Sequence, residues 1–139
     1  VTVYLDTSVV LRKLLRQKNQ IHGWGSWERM YASELMWLES MRVFDRLRIE
    51  QVMDDIELSR AVKQLNHIRS AIFEIPLQPA ITERAAQSFS TIVRTLDALH
   101  LATALKLRET REKKLLFLTH DKQLGLAAEI LGFKVEGLR

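Results

Sequence analysis

No cysteine occurs in the 139 residues, so disulfides and thiolate metal sites are both excluded. A reducing cytoplasm is compatible with that composition, and a cytoplasmic location is the expectation. No apolar run approaches the length that spans a bilayer, so no membrane partner is expected. No signal-peptide pattern opens the chain, and Val1 is read as marking an initiator Met removed or not included. Internal repeats, linkers and low-complexity stretches are also missing. What remains is 47% hydrophobic, enough for a real core, and residues 1–139 are expected to form one domain.

Charge of one sign is only mildly in excess. Lys and Arg number 21 against 17 Asp and Glu, a formal net charge of +4. That balance favours a polyanionic partner such as nucleic acid, or an acidic protein. Against this basic background four carboxylates stand out: Asp6, Glu39, Asp97 and Asp121. Asp6 ends the apolar run Thr2-Val3-Tyr4-Leu5, and Asp121 follows Leu115-Leu116-Phe117-Leu118. In an open parallel sheet both would project at the carboxyl edge of the strands, where ligands bind.

The hydrophobic pattern alternates strand and helix. Strands are predicted at 1–5, 71–77, 115–119 and 133–135. Helices are predicted at 9–16, 33–48, 49–55, 58–70, 79–89, 96–107 and after 121. Segment 17–26 reads as a loop, and 28–31 fits either a helix or a short strand. Ser33 and Thr95 are cap candidates, Pro79 suits a first turn, and Gly132 suits a C′ position. Ala98, Leu101, Ala102 and Leu105 mark a core-facing helix stripe. The alternation implies an α/β fold with a mainly parallel sheet and a helical arm in its middle.

Each acid has an ordinary explanation. Asp6 and Asp121 could cap helices, Glu39 could pair with Arg42 one turn on, and Asp97 could stabilise a helix N-terminus. Yet Thr7 and Ser8 could cap as well as Asp6. Four acids converging on one cleft would repel each other unless a divalent cation lay between them. His100 is a packing or hydrogen-bonding residue or else a ligand, and His120 is expected to be peripheral. Arg12 with Arg16, and Arg42 with Arg46, stand at i, i+4 spacing and could contact phosphates, or simply be solvated. Trp24 and Trp27 could stack bases or fill the core.

These blocks, in order, resemble the PIN-domain family, and within it VapC-type toxin ribonucleases. They are Leu5-Asp6-Thr7-Ser8, then Ser33-x-Leu35 with Glu39 and Arg42. Leu96-Asp97-Ala98-Leu99-His100-Leu101-Ala102-Thr103-Ala104 and Leu118-Thr119-His120-Asp121-Lys122 follow. The tail Ala127-Ala128-x-x-x-Gly132-Phe133 also fits. The resemblance spans residues 3–135, but 17–31 matches nothing in it.

The resemblance implies a three-layer α/β sandwich around a parallel sheet. It implies Mg²⁺ or Mn²⁺ held by the acidic quartet, with Asp6, Asp97 and Asp121 as ligands and Glu39 completing the catalytic set. Ser8 and Thr119 would be supporting polar groups. It further implies RNA as substrate, 5′-phosphate and 3′-hydroxyl products, a cognate antitoxin and a homodimer. The competing expectation is a non-catalytic PIN-like module that binds RNA or protein. A phosphoacceptor role for Asp6 is disfavoured, because residues 7–10 hold no second carboxylate.

Overall fold

Alternation along the short strands sets the layering. The computed structural model describes residues 1–138. In strand β1 (Thr2–Leu5), Val3 and Leu5 enter one apolar cluster while Tyr4 enters another. Strand β4 (Leu115–Leu118) repeats this, with Leu116 and Leu118 on the first side and Leu115 and Phe117 on the second. Burial on both faces explains why these strands are apolar without a polar alternate.

The sheet has five parallel strands in the order β3-β2-β1-β4-β5. Strands β2 (Arg29–Ser33) and β3 (Phe73–Ile75) lie to one side of β1. Strand β5 (Lys134–Glu136) lies beyond β4. Helices α1 (Thr7–Leu14), α2 (Leu35–Ile49) and α3 (Asp55–Ala71) cover one face through Val10, Leu14, Met36, Phe44 and Leu65. Helices α5 (Thr95–Thr110) and α6 (Lys122–Ile130) cover the other through Leu101, Leu105, Leu124 and Ala128. Helix α4 (Pro79–Ala85) packs on α5. The helical middle expected as an insertion is α2 and α3, which sit between β2 and β3 and pack on α1.

The chain first winds from β1 towards β3, then crosses to β4 and winds the other way. The reversal falls between β1 and β4. Outside the carboxyl ends of those two strands lies the crevice that an open α/β sheet offers to ligands.

Several local expectations change. Residues 29–31 belong to a strand, because pairing with β1 in the register Tyr4↔Tyr31 settles what local pattern left open. No separate helix occupies 49–55, and residues 50–54 lie between two helices. Helix α2 runs to Ile49, the chain turns through Gln51 at φ 60°, and Asp54 with Glu57 forms a capping box for α3. Ser33 ends β2 and Glu34 takes the N-cap position, although the Leu35 N–H still donates to Ser33 Oγ. Thr95 is inside α5, whose N-cap is Arg94. Helix α4 stops at Ala85, short of residue 89. Gly132 follows α6 at φ 91°, as a C′ glycine does. None of the described helices is long and apolar enough to cross a membrane.

Candidate functional site

Asp6 sits at the N-cap position of α1, yet its side chain makes no capping hydrogen bond. It is buried, and its two oxygens are engaged differently. Ser8 Oγ donates to Oδ2 at 2.6 Å and Thr119 Oγ1 donates to the same oxygen at 2.9 Å. Those hydroxyls are themselves aimed by backbone: the His120 N–H donates to Ser8 Oγ and the Asp121 N–H donates to Thr119 Oγ1. Each hydroxyl thereby accepts from the β4–α6 turn and keeps its proton for Asp6. Ser8 and Thr119, expected as supporting polar groups, thus both bond to Asp6.

The other oxygen, Oδ1, lies 3.5 Å from His100 Nε2. His100 is 1% exposed and forms the hub of the site. Its Nε2 is 2.8 Å from Glu39 Oε1 and 3.3 Å from Thr7 Oγ1, and its Nδ1 is 2.7 Å from the Tyr4 hydroxyl. Thr7 also donates to Glu39 Oε1 at 2.6 Å. Burial works to lower the imidazole pKa, but the Glu39 hydrogen bond and the charges of Asp6, Glu39 and Asp97 outweigh it and raise it. Burial likewise works to raise Glu39, but His100 and the Thr7 hydroxyl hold it below the ordinary carboxylate range. Tyr4 stays a neutral phenol, first through burial and then through the field of Asp6.

Glu39 therefore faces the interior, and the surface pair expected with Arg42 does not form. Arg42 pairs with Asp45 instead. Asp97 lies in the first turn of α5. A helix N-terminus alone would hold its pKa down. Instead the carboxyl is pushed up to about 6, by burial first and then by Asp121 and Asp6. Asp121 does cap α6, accepting through Oδ1 from the Gln123 and Leu124 N–H groups. Glu39, Asp97 and Asp121 line one cleft of about 510 Å³, together with Arg94, Thr95, Leu96 and Gln123. Asp6 joins them electrostatically through Asp97 and by contact through His100.

The acids thus converge, but not to bonding distance of one point. Among the described residues no three His, Asp or Glu side chains are gathered closely enough to hold a metal ion, so the set Asp6, Asp97 and Asp121 is not preassembled. Like charges keep such groups apart, and Asp6 and Asp121 are held by local hydrogen bonds. The donor set consists of hard carboxylate oxygens, and burial with the fields of Asp121 and Asp6 raises the Asp97 pKa. In chemistry these residues fit Mg²⁺ or Mn²⁺.

The basic candidates are scattered. Arg12 donates to the Asn19 carbonyl. Arg16 lies beyond the end of α1 at φ 54°, so the helix face expected for Arg12 and Arg16 does not exist. Arg46 remains exposed on α2, one turn after Arg42. Trp24 and Trp27 meet edge to face, with ring centroids 5.4 Å apart, and pack against the first core cluster. His120 is tied by Nδ1 to the Gly137 carbonyl at 2.6 Å.

Three contributors escape a reading by motif. Thr7 reads as a helix starter and Tyr4 as core, and Arg94 belongs to none of the motif blocks. The legible signal was the spacing from Asp97: His100 is one turn later and Arg94 is one turn earlier.

The PIN domain family model matches residues 3–130. No curated protein matches the chain. Among solved structures, PAE2754 from Pyrobaculum aerophilum is similar in fold, with a TM-score of 0.60 and 13% identity. The match covers 97% of this chain and 83% of that one.

Proposed function

The chain belongs to the PIN domain family, and on that footing we propose that it is a divalent-metal-dependent endoribonuclease. PIN domains are generally nuclease modules. The observation that carries the reading is the crowding of Asp97 by Asp121 and Asp6 at the sheet's reversal point. Asp6, Asp97 and Asp121 would hold Mg²⁺ or Mn²⁺, with Glu39 completing the catalytic set. When bound, such a cation supplies Lewis-acid stabilisation of charge developing on a phosphodiester.

The chain's own groups have separable tasks. Ser8 and Thr119 fix the rotamer of Asp6, so Oδ1 is the oxygen left without a hydroxyl donor. His100, with its raised pKa, offsets part of the charge of Asp6 and Glu39 and keeps both acids from swinging away. Glu39, held anionic, is placed to accept a proton from an attacking water. No side chain need form a covalent intermediate, and the products would carry 5′-phosphate and 3′-hydroxyl ends.

We further propose that residues 1–139 act as one unit, a cytoplasmic toxin with a cognate antitoxin and a homodimeric state. The four motif blocks shared with VapC-type toxins support that finer assignment. The acids standing apart favour a second reading, a non-catalytic module that binds RNA or protein.

Incubation of single-stranded and structured RNAs with Mg²⁺ or Mn²⁺ separates the two. The nuclease reading expects cleavage by the wild type and at least a hundredfold loss in Asp97→Asn, about 3 kcal/mol of transition-state stabilisation. Intact RNA across all metals, with tight binding, selects the second reading.

A further inference from the structure

Several arginines are engaged within the fold. Arg12 is engaged by the Asn19 carbonyl, Arg42 by Asp45, and Arg84 by the Ser88 carbonyl and the face of Phe89. Arg94 lines the acidic cleft, yet it forms no ion pair with Glu39, Asp97 or Asp121 among the described residues. A cation present only to neutralise those acids would be drawn onto one of them. Left beside them unpaired, its planar fork of donors is free for an incoming anion.

The same residue, with Thr95, forms the wall of a second hollow of about 640 Å³. Its apolar lining includes Ala85, Phe89, Val93 and Ala98. Ile92 also lines this groove and is 84% exposed. The loop that carries Ile92 is anchored to the acid site, because Gln123 Nε2 donates to the Ile92 carbonyl at 2.8 Å and Gln123 itself lines the cleft. Along one line the surface therefore offers carboxylates, then a free guanidinium, then an apolar groove. A single-stranded RNA presents the complementary series: the linkage to be cut, a neighbouring phosphate, and a flat base with an apolar face. A duplex would keep that base stacked and out of reach.

We infer that Arg94 is a positioning residue that grips the phosphate next to the scissile linkage, and that the groove behind it receives the adjoining unpaired nucleobase. This rests on the endoribonuclease reading and adds to it a base preference at one flanking position.

The test compares wild type, Arg94→Ala, Arg94→Lys and Ala86→Trp on single-stranded RNA with Mn²⁺. Ala86 is an exposed residue of the groove wall, so its replacement fills the hollow from outside the core. The substrates form a series in which one nucleotide at a time is an abasic ribose. Arg94→Ala is expected to raise KM about tenfold with kcat changed less than twofold, and Lys to recover part of the loss. In the wild type one abasic position beside the cut should raise KM, and Ala86→Trp should erase that difference. An unchanged KM in Arg94→Ala, or a flat abasic series, overturns the inference. If the wild type cleaves no RNA, the nuclease reading fails instead. Fluorescence anisotropy of the same RNAs in EDTA then decides: Arg94→Ala and one abasic position must both weaken binding, or the subsite is rejected.

Discussion

Asp97 carries a charge that its surroundings oppose. Its pKa rises from an ordinary 3.8 to about 6, so the unfolded chain gives up that proton more easily than the folded one. The penalty is absent below about pH 4, grows as pH rises towards 6, and is constant above. In EDTA at pH 7, Asp97→Asn should therefore stabilise the protein, by about 1 kcal/mol once solvent screening of a half-buried group is allowed for. Near pH 3.5 the same substitution should be neutral. Urea unfolding at both pH values checks this, and a less stable variant at pH 7 would contradict it.

His100 has the opposite sign. Its raised pKa gives stability that is fully present below the unfolded value and lost as pH climbs through the folded one. Glu39, held low, gives stability present above its unfolded value and lost as pH falls through the folded one. The pair therefore works best between the ordinary Glu value, 4.5, and the ordinary His value, 6.5. His100→Leu should cost about 3 kcal/mol within that window, because it leaves Asp6 and Glu39 without their partner. Thermal melts in an Asp97→Asn background isolate the effect from the opposing Asp97 titration.

Among the elements, those buried on two faces were the legible ones. Strands β1 and β4 declare themselves because Val3, Leu5, Leu116 and Leu118 face one cluster and Tyr4 and Phe117 the other. Strand β2 was ambiguous because Glu28, just before it, and Arg29, at its start, are charged and exposed, and only pairing with β1 decides its state. The apolar residues at 49–53 suggested a helix, but a left-handed Gln51 and the Asp54 capping box end one helix and start the next. Asp6, Glu39, Asp97 and Asp121 could be named from motif order. Their hub could not, since Tyr4, Thr7 and His100 meet only after β1, α1 and α5 pack together.

One constraint at this scale has no sequence signature at all. Gly137, just past β5, has φ 105°, and a Cβ there would fall 2.5 Å from the Thr119 carbonyl oxygen. Gly137→Ala must push on the segment that supports Asp6. A loss of about 1–3 kcal/mol is expected, with lower RNA cleavage in Mn²⁺ even where the protein remains folded. Unchanged stability and activity together would show that the β4–β5 edge does not set the site.

For the whole molecule the notable contrast is between a basic chain, at +4, and an acidic cleft at the sheet's reversal point. A net positive charge draws a polyanion in, while the carboxylates repel its backbone unless a cation intervenes. On the proposed endoribonuclease reading, a divalent metal would then be the condition for productive contact with RNA. The measurement that tests this most directly is the melting midpoint at pH 7 in EDTA and in Mn²⁺, for the wild type and Asp97→Asn. At a hundredfold excess over Kd the linkage is about 2.7 kcal/mol, a rise of about 5–10 °C for a chain of this size. The account predicts that rise in the wild type and most of it lost in Asp97→Asn. No rise in the wild type, or an equal rise in both, would contradict it.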